Sequence, residues 1–230
     1  MQRLSNQSLL LIAVVAAVFA GAYTLVGHNT TSIKNGATHA GVVEIAEPTQ
    51  PSGLQHATFA MGCFWHSEEM FLELKGVTDV IPGYCGGSEP SPDYETVSSG
   101  TTGYAESVNV TFDPTIITYR QLLEVFFAEH DPTSLNRQGP DSGPQYRSAV
   151  FYRNAEQKKQ IDEYIATLTS SHKYSSPIVT QVAPFRKFYR AEEYHLRYFR
   201  NHPDHSYIRH VTLPEILSFR NRFANLLRKD

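Results

Sequence analysis

The chain is poor in cysteine, with two in 230 residues, Cys63 and Cys85. At most one disulfide is possible, so this is not a cysteine-stapled secreted scaffold and its fold must rest on a hydrophobic core. There is no Cys-x-x-Cys pair, and the ten histidines show no zinc-type spacing with the cysteines. An excess of one charge is lacking too. The formal net charge is -3, which leaves no basic field for nucleic acid and no acidic low-complexity tail. Internal repeats are absent, and nothing in these residues calls for a metal or an organic cofactor.

What is present suits one globular domain plus an extension, with 41% hydrophobic residues and enough length to bury a sizeable core. Leu9 to Val26 (LLLIAVVAAVFAGAYTLV) is an apolar run preceded by Arg3 and no acidic residue. Residues 1–31 therefore read as an export signal or membrane anchor, near the lower length limit for spanning a bilayer. Ala20-Gly21-Ala22 has the small-x-small form of a cleavage site, so the segment is either removed or retained as one N-terminal transmembrane helix. Both routes place the rest of the chain outside the cytoplasm, in a periplasmic or other extracytoplasmic space. Residues 32–56, rich in Thr, Ser, Gly and Pro, read as a flexible linker, and 57–230 as the globular domain.

Within that domain Ala57–Met61 is a strand candidate running into Gly62 and Cys63, followed by a helix that ends before Gly76. Val77–Tyr84 is a second strand, and Val108, Val110 and Phe112 alternate as a third. Tyr119, Leu122, Leu123, Phe126 and Phe127 have amphipathic helix spacing. Ala149–Tyr152 is a fourth strand, Asn154 caps a polar helix to Ser170, and Ile178–Val182 is a fifth strand. The order β-α-β-β-α-β predicts an α+β fold: a two-layer sandwich with a ferredoxin-like core, a mostly antiparallel mixed sheet and extra C-terminal helices. Right-handed crossovers make the first two strands parallel with the third between them. The turn at Cys63, the loop from Cys85 to Ala105 and the loop from Asp131 to Arg147 then converge on one sheet edge. For Glu215 to Lys229, Ile216, Phe219 and Phe223 fall at helical spacing, in a segment that packs on the domain or lies free.

Cys63 is the chemical candidate. It follows a glycine at a strand-to-helix turn, where free backbone N–H groups and the helix dipole favour a thiolate. Phe64 and Trp65, the one tryptophan, come next. The two loops are long for a compact domain and rich in Tyr, Asp, Glu and Arg, as functional loops are. These residues admit three readings: a thiol oxidoreductase, a Cys–His hydrolase or acyltransferase with Cys63 activated by His66, His130 or His195, and a membrane-tethered binding module.

Four segments then carry a family resemblance: GCFW after a strand, GY-x-GG, P-x-YE-x-V-x-SG-x-TG-x-AE-x-V, and HDPT-x-LNRQG-x-D-x-G-x-QYRSA. Together, from about Thr58 to His210, they resemble the peptide methionine sulfoxide reductases of the A type. The resemblance implies thiol-dependent reduction of methionine S-sulfoxide, free or in oxidised proteins, by an external reductant such as a thioredoxin-like protein. It implies Cys63 as the nucleophile that becomes a sulfenic acid, and Glu106 as proton donor to the sulfoxide oxygen, helped by Tyr94 and Tyr146. Asp141 would position this network, and Phe64 and Trp65 would form the pocket for the substrate methyl group. The chemistry agrees, since a sulfoxide oxygen leaves only once protonated and a carboxyl among aromatics holds its proton at neutral pH.

Three positions depart from the family pattern. His66 stands where a small residue is usual and reads as a surface substitution. Tyr104 replaces a frequent histidine. Ile208 stands where some relatives carry a resolving cysteine, leaving Cys85 as the internal candidate for that role. An intervening strand implies about 10 Å between the two cysteine positions, too far for a disulfide without movement; direct reduction by an external thiol is the other route.

Overall fold

The structure is a computed structural model that describes residues 53–229. The apolar run Leu9–Val26 lies outside the described residues, as does most of the tether. Among the described residues no helix is long and apolar enough to cross a membrane.

The first strand, β1 (Gln55–Met61), starts two residues inside the segment read as linker. It is followed by α1 (Phe64–Leu72), β2 (Val77–Cys85), α2 (Tyr94–Ser98), β3 (Ala105–Phe112) and α3 (Tyr119–Ala128). A small hairpin, β4 (Arg137–Gln138) and β5 (Asp141–Ser142), precedes β6 (Ser148–Tyr152) and α4 (Ala155–Ser170). The C-terminal part holds β7 (Gln181–Pro184), β8 (Phe188–Arg190), α5 (Tyr198–Asn201) and α6 (Leu213–Arg222). The six-stranded sheet runs β7-β6-β1-β3-β2-β8. Its neighbours are antiparallel except β6 and β7. The central order β6-β1-β3-β2 is the α+β ferredoxin-like arrangement expected from the sequence, with β3 between the parallel pair β1 and β2.

Strand alternation sorts the side chains into two clusters. Phe59, Met61, Val80, Tyr84, Val108 and Val110 face the main core with α1 and α3. Phe59 anchors it, its ring 5.2 Å from both Phe71 and Phe126. Ala60, Cys85, Ala105, Ala149, Phe151 and Phe188 form a second cluster, as the period of two requires on the other face of the sheet.

The Asn154 side chain caps α4 by accepting from the Gln157 backbone N–H at 2.8 Å. Two elements differ from the expectation. The loop after β2 contains α2, which Asp93 and Thr96 close with a capping box. The last parallel strand sits at Gln181–Pro184 rather than Ile178–Val182, and Val179 N–H is instead taken by the Pro132 carbonyl at 2.8 Å.

Nearly all of α1 is buried, because the sheet covers one side and the C-terminal segment the other. Three carboxylates on that other side are tied to arginines: Glu68 to Arg197 at 2.6 Å, Glu69 to Arg200 at 2.7 Å and Glu73 to Arg220 at 2.5 Å. Arg197 also gives its backbone N–H to Glu68 while holding a left-handed φ of 56°. The segment thus packs on the domain, with Ile216, Phe219 and Phe223 buried.

Candidate active site

Cys63 is the N-cap of α1. The turn that places it depends on Gly62, whose φ of +95° disfavours any side chain and where an added Cβ would lie 2.7 Å from Gln138 Cβ. The loop carrying Asp141 therefore rests directly against the turn carrying Cys63. The free N–H groups at the start of α1 are divided between two groups. Phe64 N–H donates to Glu106 Oε2 at 3.1 Å, and Trp65 N–H reaches the Cys63 sulfur.

Glu106 is buried on the helix-facing side of β3, opposite Tyr84. Burial pushes its carboxyl up to about 8 against the pull of the Phe64 N–H, and the charge of Asp141 adds to the rise. It is therefore mostly protonated at neutral pH. Asp141 is raised as well, by burial, while the hydroxyl of Tyr207 donates to its Oδ2. Tyr94 opens α2, and Tyr146 closes the short 3-10 turn Pro144–Tyr146. Burial and the charge of Glu106 raise both phenols, Tyr94 to about 12, and both also feel Cys63 and Asp141. They are neutral hydroxyls that can donate. Cys63, Glu106, Tyr94, Tyr146 and Asp141 are thus brought together from the ends of β1 and β3 and from two loops.

Several expectations are corrected. The Cys63 thiol is not held as a thiolate. Burial and then the charge of Glu106 raise it well above the ordinary range, Asp141 adds to this, and Trp65 N–H and Tyr207 OH oppose it only in part. The helix start does donate to the sulfur, but the surrounding protein and carboxyls outweigh it. Phe64 is turned inward beside the site. It is 1% exposed, its ring 6.0 Å from Tyr84 and 4.9 Å from His195, and it meets the site through its backbone. Trp65 is partly exposed and stacks on Tyr198 at 3.8 Å with only 6° between the planes. His66 is no surface residue. It is buried beside Glu215, Nδ1 3.6 Å from Oε2, in a cleft of about 200 Å³ that also contains Cys63, Asp141 and Tyr207. Tyr104 packs against Tyr189 and donates to the Glu89 carbonyl at 2.5 Å. Cys85 is not brought to Cys63: it lies in the second cluster, its thiol donating to the Lys187 carbonyl at 3.3 Å, and burial pushes it up to about 12.

Tyr207, which contacts both Cys63 and Asp141, was missed, because its segment has no hydrophobic periodicity pointing at the site.

The Cys–His arrangement finds no support. His130 is engaged by the Phe126 carbonyl at 2.6 Å and Ser148 at 2.7 Å, His195 takes the indole N–H of Trp65 at 3.0 Å, and His66 faces Glu215. Burial lowers all three to about 4, so each is neutral.

Residues 55–226 match the family described as peptide methionine sulfoxide reductase. A peptide methionine sulfoxide reductase MsrA of Thermus thermophilus is 49% identical over 172 residues, covering 75% of this chain and 97% of that protein. One from Deinococcus radiodurans is 47% identical over 184 residues, covering 80% and 89%. Among solved structures, reduced Mxr1 from Saccharomyces cerevisiae superposes with a TM-score of 0.64 at 36% identity, covering 67% of this chain and 89% of that one.

Proposed function

The chain belongs to the peptide methionine sulfoxide reductase family, A type, and from that premise we propose how its own residues divide the work. The enzyme is an oxidoreductase that returns methionine S-sulfoxide to methionine at the expense of thiols. In our reading Cys63 attacks the sulfoxide sulfur while Glu106, Tyr94 and Tyr146 hydrogen-bond its oxygen. The oxygen passes to the Cys63 sulfur, giving methionine and a sulfenic acid. Glu106 gives its proton to the leaving oxygen and is reprotonated by the Cys63 thiol, so the new S–OH carries the Glu106 hydrogen and the thiol hydrogen ends on Glu106. A resting thiol suits this sequence, because its proton is released only once Glu106 has given its own to a substrate oxygen and can receive it. Trp65 forms the wall for the substrate methyl group, and Asp141, through Tyr207, steadies the polar side.

The observation that carries this reading is the position of Glu106, buried within one backbone hydrogen bond of the helix that Cys63 caps, where burial pushes its carboxyl up to about 8. An external dithiol, in the cell a thioredoxin-like protein, condenses with the sulfenic acid to release water and then resolves the mixed disulfide. The sealed position of Cys85 favours this direct route over an internal disulfide. The apolar run Leu9–Val26 supports an enzyme acting outside the cytoplasm on oxidised proteins there, released or anchored.

The test is turnover of protein-bound S- and R-methionine sulfoxide with a dithiol reductant. Turnover of the S epimer is expected, abolished by Cys63→Ser. Full activity in Cys63→Ser would sink the mechanism.

A further inference from the structure

His195 does not touch the thiol, yet it sits among the residues assigned to the substrate. It is 1% exposed. Its ring centroid lies 4.5 Å from that of Tyr94, 4.9 Å from Phe64 and 5.8 Å from Trp65. Its Nδ1 is 3.0 Å from the indole nitrogen of Trp65. An indole nitrogen can only donate, so Nδ1 is the acceptor and the single proton of the neutral ring is on Nε2. That Nε2 is buried with no hydrogen-bond partner among the described residues, and Glu192 Oε2 stands 4.0 Å from it. Both oxygens of Glu192 already have partners. Oε2 accepts from the Tyr84 hydroxyl and Oε1 from the backbone N–H of Tyr94, each at 2.8 Å.

A phenylalanine would fill the same aromatic nest without burying an unpartnered N–H, which carries a desolvation cost. What the imidazole supplies and a phenyl ring does not is the acceptor at Nδ1. The stack of Trp65 on Tyr198 leaves the indole free to slide and turn within its own plane, since stacking has little in-plane preference. A directional N–H···N bond removes that freedom. Glu192 does the same for the first residue of α2 and presents its negative oxygen toward the Nε2 side, favouring the tautomer that leaves Nδ1 free.

We infer that His195, backed by Glu192, is a positioning residue that locks the Trp65 wall and the Tyr94 end of α2 into one unit facing Cys63. The inference rests on the roles given above to Trp65 and Tyr94, but its physical core, the N–H···N bond, is testable apart from them.

The chain has one tryptophan, so the full-length protein gives a single indole N–H resonance. Three results are expected. The wild type shows a scalar coupling between Trp65 Nε1 and His195 Nδ1 across the hydrogen bond. His195→Phe moves the indole resonance upfield and raises KM for methionine sulfoxide about tenfold, with kcat altered much less. His195→Asn, whose Oδ1 can stand in for Nδ1, restores both. On a Trp65→Phe background the KM effect of His195→Phe should vanish, because the two act as one unit. The inference is overturned by absence of the coupling in the wild type, which needs no variant to fold. It is equally overturned by an unmoved indole resonance in His195→Phe, by Asn performing no better than Phe, or by a KM effect that persists without the indole. Failure of the wild type to consume methionine sulfoxide would instead sink the reductase reading, leaving the coupling and the indole shift to judge His195.

Discussion

Cys63 and Cys85 stand at the ends of β1 and β2, parallel strands of one sheet with β3 between them, and burial raises both thiols. Their surroundings otherwise differ in kind. Cys85 lies among Ala60, Ala105, Ala149, Phe151 and Phe188, and its thiol makes one bond to a carbonyl. Cys63 lies where a strand ends and a helix begins, among two carboxyls and three phenols that can move protons. On the proposed mechanism, reactivity comes from what can take or give a proton beside the sulfur, not from a low resting pKa.

The largest effect expected from that contrast is on catalysis. Cys63→Ser should remove methionine sulfoxide turnover altogether, whereas Cys85→Ser should leave it within about twofold, because the proposed mechanism does not use that side chain. Substantial loss in Cys85→Ser with folding intact would show that the second cluster takes part after all.

Glu106→Gln should lower kcat/KM by about 10²-fold or more, the usual worth of a positioned general acid. The acid must be protonated to act, so wild-type kcat should be highest below pH about 8 and fall above it. For stability, a carboxyl raised in the folded state binds more protons folded than unfolded between the ordinary glutamate range and about 8. Stability is therefore lost as pH rises through that window, and Glu106→Gln should raise Tm more at pH 8 than at pH 5. Equal Tm shifts at both would mean the carboxyl is not held protonated.

A smaller effect is expected where the C-terminal segment is tied to α1. Arg197→Ala leaves Glu68 buried without its partner and should cost about 2 kcal/mol in chemical denaturation, less than a fully trapped charge because Glu68, already raised to about 7, can take up a proton. The smallest concerns the thiols themselves. Alkylation of the native protein should label Cys63 alone, faster as pH rises, with Cys85 reacting only on unfolding; equal labelling would erase the comparison.

Much of this was legible in the residues. Alternation at Val108, Val110 and Phe112 and helical spacing from Tyr119 to Phe127 marked real elements, because each must present one apolar face to a shared core. The capping pair Asp93 and Thr96 was also there to be read, but the turn-forming residues around it hid a helix only five residues long. The face of Cys85 was readable too: Tyr84 points into the main core, so its neighbour must point away. Tyr207 was not readable, since its contacts depend on how the C-terminal segment crosses α1.

Order and period in the sequence determined by themselves which segments become strands and helices, which cysteine opens a helix and which acid begins a strand on the core-facing side. Only the tertiary structure decided the protonation of Cys63 and Glu106, the neutral histidines and the bond between Trp65 and His195. Those depend on what surrounds a group in three dimensions, and desolvation, Coulomb forces and hydrogen bonds act through space between residues far apart in the chain, 42 positions for Phe64 and Glu106 and 130 for Trp65 and His195.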